Sequence, residues 1–436
     1  MTNGDSDSWT GTIESISHEG YGVGIMEVTR AGKTHKRPIF VPYTVPGDEL
    51  VAEIVEKKRK YTFGKIKELL NASKERTEAP CPHFTTCGGC NLEHVSYDEQ
   101  LRQKAKQVQF LLERKGIALP KDIEILPSNE RHNYRWKSKV AVLFAGGKCV
   151  AGFRKFRSNE IVPVQQCFIV HKKILEFIQL LNKKETTLEC EQEMFVAHGE
   201  SGKLAVLVNV DEARDRNGLL LFLENLYAEN RGLIGNVFIV QQHTVRTLGQ
   251  VQEHLTYSSN SIRFTFFPET FIQANIATNT LLVEKTCELV GRVETALDLY
   301  AGIGNFSLPM AKHVQKVIAV EGNHASVLAG STNALRNSIE NVEFIQSSAE
   351  AYLRTAPAAD VVLLDPPRTG CSPSVMKGLL QLQPEKIVYV SCNPATLARD
   401  LDLLQYDVTD IFGVDMFPDT SHVEMVVQLS HKLLKS

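Results

Sequence analysis

The chain has 436 residues, a formal net charge of −3, 43% hydrophobic residues and 23% charged residues. That length exceeds one ordinary core and predicts two or three domains, and the composition excludes a disordered, collagenous or membrane-embedded chain. The opening MTNGDSDS is polar and acidic, unlike a secretory signal, and no apolar run is long enough to span a bilayer, so a cytoplasmic protein with no membrane partner is expected.

Nine cysteines in so long a chain make no disulfide framework; in a reducing compartment they serve as ligand, nucleophile or core filler. The small net charge gives no global argument for nucleic acid. Locally, however, Arg131–Arg157 holds eight Lys or Arg and no acid, and Glu56–Lys67 holds six against one Glu. Such stretches suit a polyphosphate partner, although a basic run is more often a solvated face.

Residues 9 to about 70 read as five short strands (Thr10–Ile16, Val23–Val28, Ile39–Val41, Leu50–Val55, Phe63–Leu69) separated by glycine turns, the pattern of a small closed barrel. The basic loop Lys57–Tyr61 falls between the last two. A cysteine-bearing loop follows at 76–95, then apolar residues at helical spacing over Tyr97–Lys115. From about 133 to 265 hairpins alternate with helical stretches at 171–182 and 218–228, an α+β region. From about 270, the apolar runs Ala296–Tyr300, Lys316–Glu321, Val342–Gln346, Val361–Asp365 and Ile387–Ser391 alternate with helical segments. This is the signature of a doubly wound parallel sheet. A final run, Val423–Leu429, is expected as an added edge or antiparallel strand. The predicted division is 1–72, 73–268 and 269–436.

Three sites carry chemistry. First, Leu297–Ser307 is a strand, a Gly302-x-Gly304 turn and a helix, and Glu321 ends the next strand where it can accept ribose hydroxyls. No glycine stands three residues after Gly304, so the pyrophosphate fingerprint is incomplete; S-adenosylmethionine has no pyrophosphate and needs none. Second, Asp365-Pro-Pro-Arg368 and Ser391-Cys392-Asn393-Pro394 end two strands. If the strands are neighbours, Asp365 and Cys392 flank one small ring. Asn393 and Pro394 are a helix N-cap and first position, placing Cys392 where the positive end of a helix favours a thiolate. A thiolate beside a methyl donor can add to C6 of uracil, which activates C5; the C5 proton must then be removed before sulfur leaves, and Glu424 is the best-placed carboxylate. An ionised Asp365 would accept N3–H of uracil and repel cytosine N3. Third, Cys81-x5-Cys87-x2-Cys90 offers three sulfurs in a short loop. A fourth ligand, from His83 or His94 for zinc or from Cys149, Cys167 or Cys190 for an iron–sulfur cluster, must come from afar.

Phe271-Ile-Gln-Ala-Asn275, Asp298–Asn305, Asp365–Arg368, Ser391–Pro394 and His422-Val-Glu424, in that order, resemble the RNA uracil-C5 methyltransferase family. The resemblance is greatest to its members that act on 23S ribosomal RNA and carry an N-terminal OB-like barrel of the TRAM type. It covers nearly the whole chain. It implies a Rossmann-like S-adenosylmethionine-dependent enzyme with Cys392 as nucleophile and Glu424 as proton acceptor. Gln273, Tyr300, Gly302, Gly304, Asn305, Glu321 and Asp365 would line the donor and base pocket, and Cys81, Cys87, Cys90 and Cys167 would hold a [4Fe–4S] cluster. The implied partner is 23S rRNA with an unpaired target uridine, bound by a monomer. Ser348 stands where several members carry an amide or acid near the adenine. Three other readings compete: a cytosine-C5 methyltransferase using Cys371, an N-methyltransferase (against which Arg368 stands where an aromatic residue is usual), and a non-enzymatic RNA-binding factor.

Overall fold

A computed structural model describes residues 8–30, 33–211, 213–242, 244–248 and 255–431; most of the acidic opening segment lies outside them. Three sheets and a hairpin follow one another along the chain.

The first sheet has the order Ser8–Thr12, Glu49–Lys57, Thr62–Asn71, Lys33–Pro42, Tyr21–Arg30, Ser15–Ile16. Its two edges are therefore one stretch of chain, residues 8–16, broken at Ile13, whose amide turns to Asp48 O (2.9 Å) while Glu14 N reaches Val23 O (2.8 Å). Trp9, Ile13, Ile39, Val41, Leu50 and Ala52 fill the interior. Gly11 and Gly24 lie flat against the Trp9 indole, where a Cβ would come within 2.4 and 2.3 Å of the ring. Lys33–Pro42 is longer than the predicted Ile39–Val41, because its polar first half extends a solvent-facing ribbon with Tyr21–Arg30.

The second sheet runs Ile161–Pro163, Lys148–Arg154, Lys137–Ala145, Cys190–His198, Leu204–Asn209, Ile234–Gln241, Thr244–Leu248. Val140, Val142, Phe144, Met194, Val196, Val206 and Val208 alternate onto one face, where helices Lys172–Leu181 and Arg216–Glu229 cover them.

The third sheet has the order Val342–Gln346, Val314–Glu321, Val293–Leu299, Val361–Leu364, Lys386–Ser391, Glu424–His431, Tyr406–Val414, Ile125–Leu126. Its first five strands are the predicted parallel set. One face packs on helix Tyr97–Glu113 and on helices Pro373–Leu382 and Pro394–Leu403, the other on helix Ile276–Val290. Two expectations change. The last strand is antiparallel but internal, because Tyr406–Val414, absent from the sequence reading, covers its outer side. Helix Tyr97–Glu113 and Ile125–Leu126, assigned from sequence to the 73–268 unit, pack on this third sheet instead. The fully buried Lys104 pins that helix to the equally buried Asp415 at 2.6 Å.

Candidate functional site

The turn after Val293–Leu299 is shaped by three residues with positive φ: Tyr300 (68°), Gly302 (56°) and Gly304 (91°). Glycine accepts this region freely, whereas a non-glycine residue there costs roughly 1–3 kcal/mol and marks a place the surroundings over-determine. Ala301 N bonds Val320 O (3.1 Å), which holds the turn against the next strand. At that strand's end Glu321 receives Gly302 N on Oε2 (3.0 Å) and Asn323 N on Oε1 (2.7 Å), and each oxygen keeps acceptor capacity for a ligand diol. Asn305 and Asn279 exchange two amide hydrogen bonds (2.7 and 3.1 Å), tying the turn to helix Ile276–Val290. Ser348 caps the short helix Ala349–Tyr352 through Ala351 N (3.2 Å). Gln273 is buried in the segment before the long helix, and Asn275 caps that helix while donating to Ser128 Oγ (3.0 Å). Asn275 is thus a scaffold residue.

The strands ending at Leu364 and Ser391 are parallel neighbours, Leu364 opposite Tyr389, so Asp365 and Cys392 leave adjacent strand ends as predicted. Ser391 pairs with Met425 across the antiparallel ladder; continuing that register by one residue sets Glu424 beside Cys392. Glu424 is 2% exposed, not solvent-facing, because Val414 of the covering strand pairs with it. Asn393 accepts Ala395 N (3.0 Å) and donates to Arg368 O (3.0 Å). One side chain therefore caps the helix after Cys392 and anchors the loop after Asp365.

Electrostatically the site differs from expectation. Burial pushes the Cys392 thiol up to about 12; Glu424 and Asp365 add to this, while Arg368 and a backbone hydrogen bond oppose it. The helix N-terminus is in place, but desolvation and two carboxyls outweigh it, so the resting group is a thiol, not a thiolate. Burial also raises Asp365 to about 7 and Glu424 well above the ordinary carboxylate range. Cys392 remains partly exposed, open to a ligand. Cys371 is buried in the sheet's core, 3.6 Å from the Tyr389 hydroxyl, and its amide donates to Asp400 (2.8 Å). Asp400, Tyr389 and Arg399, none of them marked by any motif, brace the loop at 369–371.

Cys81, Cys87, Cys90 and Cys167 line one cleft of about 410 Å³, with Glu93 and Arg135. Of the candidates for a fourth ligand, Cys167 alone faces this cleft together with His83. His94 is buried against Thr44 O (3.3 Å), Cys149 lies in the core, and Cys190 sits on the second sheet. Burial raises all four thiols, and their mutual repulsion adds to it for Cys81, Cys87 and Cys90. Among the described residues no group of three or more His, Cys, Asp or Glu is drawn tightly enough to hold a single metal ion.

The basic stretch Arg131–Arg157 is largely spoken for. Lys139 pairs with Glu193, Arg154 with Glu191 (2.5 Å), Lys155 with Glu160 (3.0 Å), and Arg157 lies 4.7 Å over the Phe63 ring. Arg59 and Lys60, in the loop between the last two strands of the first sheet, are exposed.

A doubly wound sheet with a glycine turn and acid at one pair of strand ends, and a cysteine with two carboxyls at the next, defines a methyltransferase of the α/β class. Comparison specifies it further. Residues 96–359 and 353–432 match the model of the tRNA (uracil-5-)-methyltransferase family. An RNA methyltransferase of Halalkalibacterium halodurans is 33% identical, over 97% of this chain and 96% of that one. The 23S rRNA (uracil(1939)-C(5))-methyltransferase of Yersinia enterocolitica is 33% identical, over 95% of this chain and 93% of its own. The crystal structure of the Pyrococcus abyssi tRNA (uracil-54, C5)-methyltransferase with S-adenosyl-L-homocysteine superposes with a TM-score of 0.73 at 26% identity, over 97% of this chain and all of that one. The chain belongs to the RNA uracil-5-methyltransferase family and is an S-adenosylmethionine-dependent enzyme of that class.

Proposed function

We propose that the enzyme methylates C5 of one unpaired uridine in 23S ribosomal RNA, with Cys392 as nucleophile and Glu424 as base. The observation that carries this reading is the buried Glu424 carboxyl beside Cys392 at the end of the strand next to Asp365. The Yersinia relative supports the choice of ribosomal RNA.

S-adenosylmethionine supplies an electrophilic methyl group when bound, in a pocket lined by Gln273, Tyr300, Gly302, Gly304, Asn305, Glu321 and Asp365; the free acceptor capacity of Glu321 and the glycine turn fit it. Asp365, once ionised, accepts N3–H of the uracil and fixes the ring. On RNA binding Cys392 and Glu424 release their protons to solvent, the first favoured by Arg368, and the sulfur bonds to C6, leaving its electron pair in an enolate that makes C5 a nucleophile. C5 takes the methyl group, the Glu424 carboxylate removes the C5 proton, and the sulfur–C6 bond breaks to release 5-methyluridine and the Cys392 thiolate. A paired, stacked base hides C6, so the target must be flipped out or unpaired.

Cys81, Cys87, Cys90 and Cys167 line one cleft, which supports a [4Fe–4S] cluster that these four thiolates would hold. Its role in this reading is to hold the RNA-facing surface in shape. The unit 1–72, whose described strands between Ser8 and Asn71 form the first sheet, serves as a TRAM-type OB barrel; 73–268 is the central RNA-binding unit and 269–436 the methyltransferase unit, acting as a cytoplasmic monomer. No helix among the described residues is long and apolar enough to cross a membrane. Nucleoside mass mapping of 23S rRNA from cells with and without this protein is the test: loss of one 5-methyluridine is expected, and a methyl group lost from cytidine instead would refute it.

A further inference from the structure

Flipping a target base leaves its neighbours without a stacking partner, a cost of a few kcal/mol that the protein must offset. We propose that the cleft beside Trp136 is a second base-binding subsite, which stacks a nucleotide flanking the target uridine. This rests on the RNA reading above and adds a place and a chemistry to it.

The cleft holds about 520 Å³, within the ~300–1,000 Å³ span of small-ligand sites. Trp136 and His171 form its aromatic side, the indole 5.7 Å from the imidazole. Behind them His198 stacks on His171 at 3.7 Å and 23°, with Trp136 edge-on to it at 4.8 Å. Burial lowers His198 to about 4 and His171 below its ordinary value, so His171, backed by the buried His198, presents a neutral flat aromatic surface at pH 7, not a phosphate clamp. Two cations stand at the mouth. Lys172 is exposed in the first turn of helix Lys172–Leu181. Arg131 lies with its guanidinium 4.0 Å over Tyr97 and 3.8 Å from Asp419, one face covered and held. Aromatic faces beside fixed cations are the composition of a single-strand stacking site. Asn133, Glu130 and His132 complete the lining, the first two with groups that can meet a base edge.

Position favours a neighbour of the target. Trp136 N donates to Ala274 O at 3.0 Å, and Asn275 Nδ2 reaches Glu130 O at 3.4 Å. These two bonds tie the backbone beside the cleft to the segment that carries Gln273, which the proposed function places in the donor and base pocket. The proposed chemistry uses neither Trp136 nor His171.

The chain has two tryptophans, and Trp9 is buried in the first sheet, so Trp9→Phe leaves Trp136 as the sole tryptophan, excited selectively at the red edge of absorption, with the cleft intact. The probes are a 23S rRNA hairpin transcript containing the uridine equivalent to that named for the Yersinia relative, and an oligouridylate. Quenching of Trp136 by the hairpin, abolished when one nucleotide next to the target uridine is abasic, is the expected result. Trp136→Ala should raise KM for RNA about tenfold with kcat within about twofold, and Trp136→Phe should recover most of it. If the hairpin is not methylated yet either RNA quenches Trp136, the target assignment fails and the subsite stands. Methylation of the hairpin without quenching, or quenching indifferent to every abasic neighbour, overturns the proposal, and neither result depends on how Trp136→Ala folds.

Discussion

A nucleophile whose proton is held up to about 12 by burial is safe from oxidation and useless until a substrate arrives, so the residues around Cys392 decide when it reacts. Cys392→Ala should abolish methylation in a tritium-transfer assay, while Cys371→Ala, a core substitution, should lower stability and keep turnover. Arg368→Met removes the cation that favours the thiolate and should move the alkaline limb of the kcat profile to higher pH. Burial raises Asp365 to about 7 and the group is useful ionised, so kcat/KM should fall as pH drops through the neutral range; Asp365→Asn should flatten this limb. Glu424→Gln should trap a protein–RNA adduct on denaturing gels, since sulfur cannot leave before the C5 proton does. The same variant makes a stability prediction. A carboxyl whose folded pKa lies above its unfolded one binds a proton on folding, so it opposes folding increasingly as pH rises from its unfolded pKa towards its folded one. Glutamine carries no such penalty. The variant should therefore melt higher than the native enzyme at pH 8 and about equally at pH 4, gaining about 2 °C or more per kcal/mol relieved.

Elements show which parts of this were legible in advance. The five parallel strands were readable because burial on both faces leaves continuous apolar runs such as Val361–Leu364. Tyr406–Val414 was not, since Asp407, Thr409 and Asp410 interrupt it and its ladder shifts register between Val408 and Asp410. Missing that strand made Glu424 look like an edge residue, so the carboxyl's burial, which sets its chemistry, could not be read locally. The pairing within the basic stretch was hidden for the same reason: Glu191 and Glu193 neutralise Arg154 and Lys139 only once strands are in register. The docking of helix Tyr97–Glu113 was equally hidden, because Lys104 meets a partner 311 residues away. That pair is testable. Lys104→Ala leaves Asp415 buried and unpaired and should cost about 3–5 kcal/mol in urea unfolding, whereas Lys104→Met with Asp415→Leu should recover most of it. Recovery absent from the double variant would mean the ion pair itself, and not its apolar replaceability, secures the helix.

Across the whole molecule, a net charge of −3 means RNA must be drawn by local cations, and these are neutralised to different degrees on different faces. The outer face of the second sheet, with Lys139 and Arg154 neutralised, has little to offer a phosphate. Arg59 and Lys60 on the first sheet, and Lys172 and Arg131 near Trp136, are exposed. A strand running from the loop at 57–61 to the Trp136 cleft and on to Cys392 would meet charge, then stacking, then chemistry. Counterion release makes that path measurable: each phosphate contact on single-stranded RNA contributes about 0.7 to the slope of log K against log salt. Arg59→Ala with Lys60→Ala should flatten the slope by about 1.4 and leave kcat at saturating RNA unchanged, while Lys139→Ala should leave the slope within about 0.3 of native. Equal losses from the two variants would place the RNA across the second sheet and away from the barrel, and the path from loop to cleft to cysteine would be wrong.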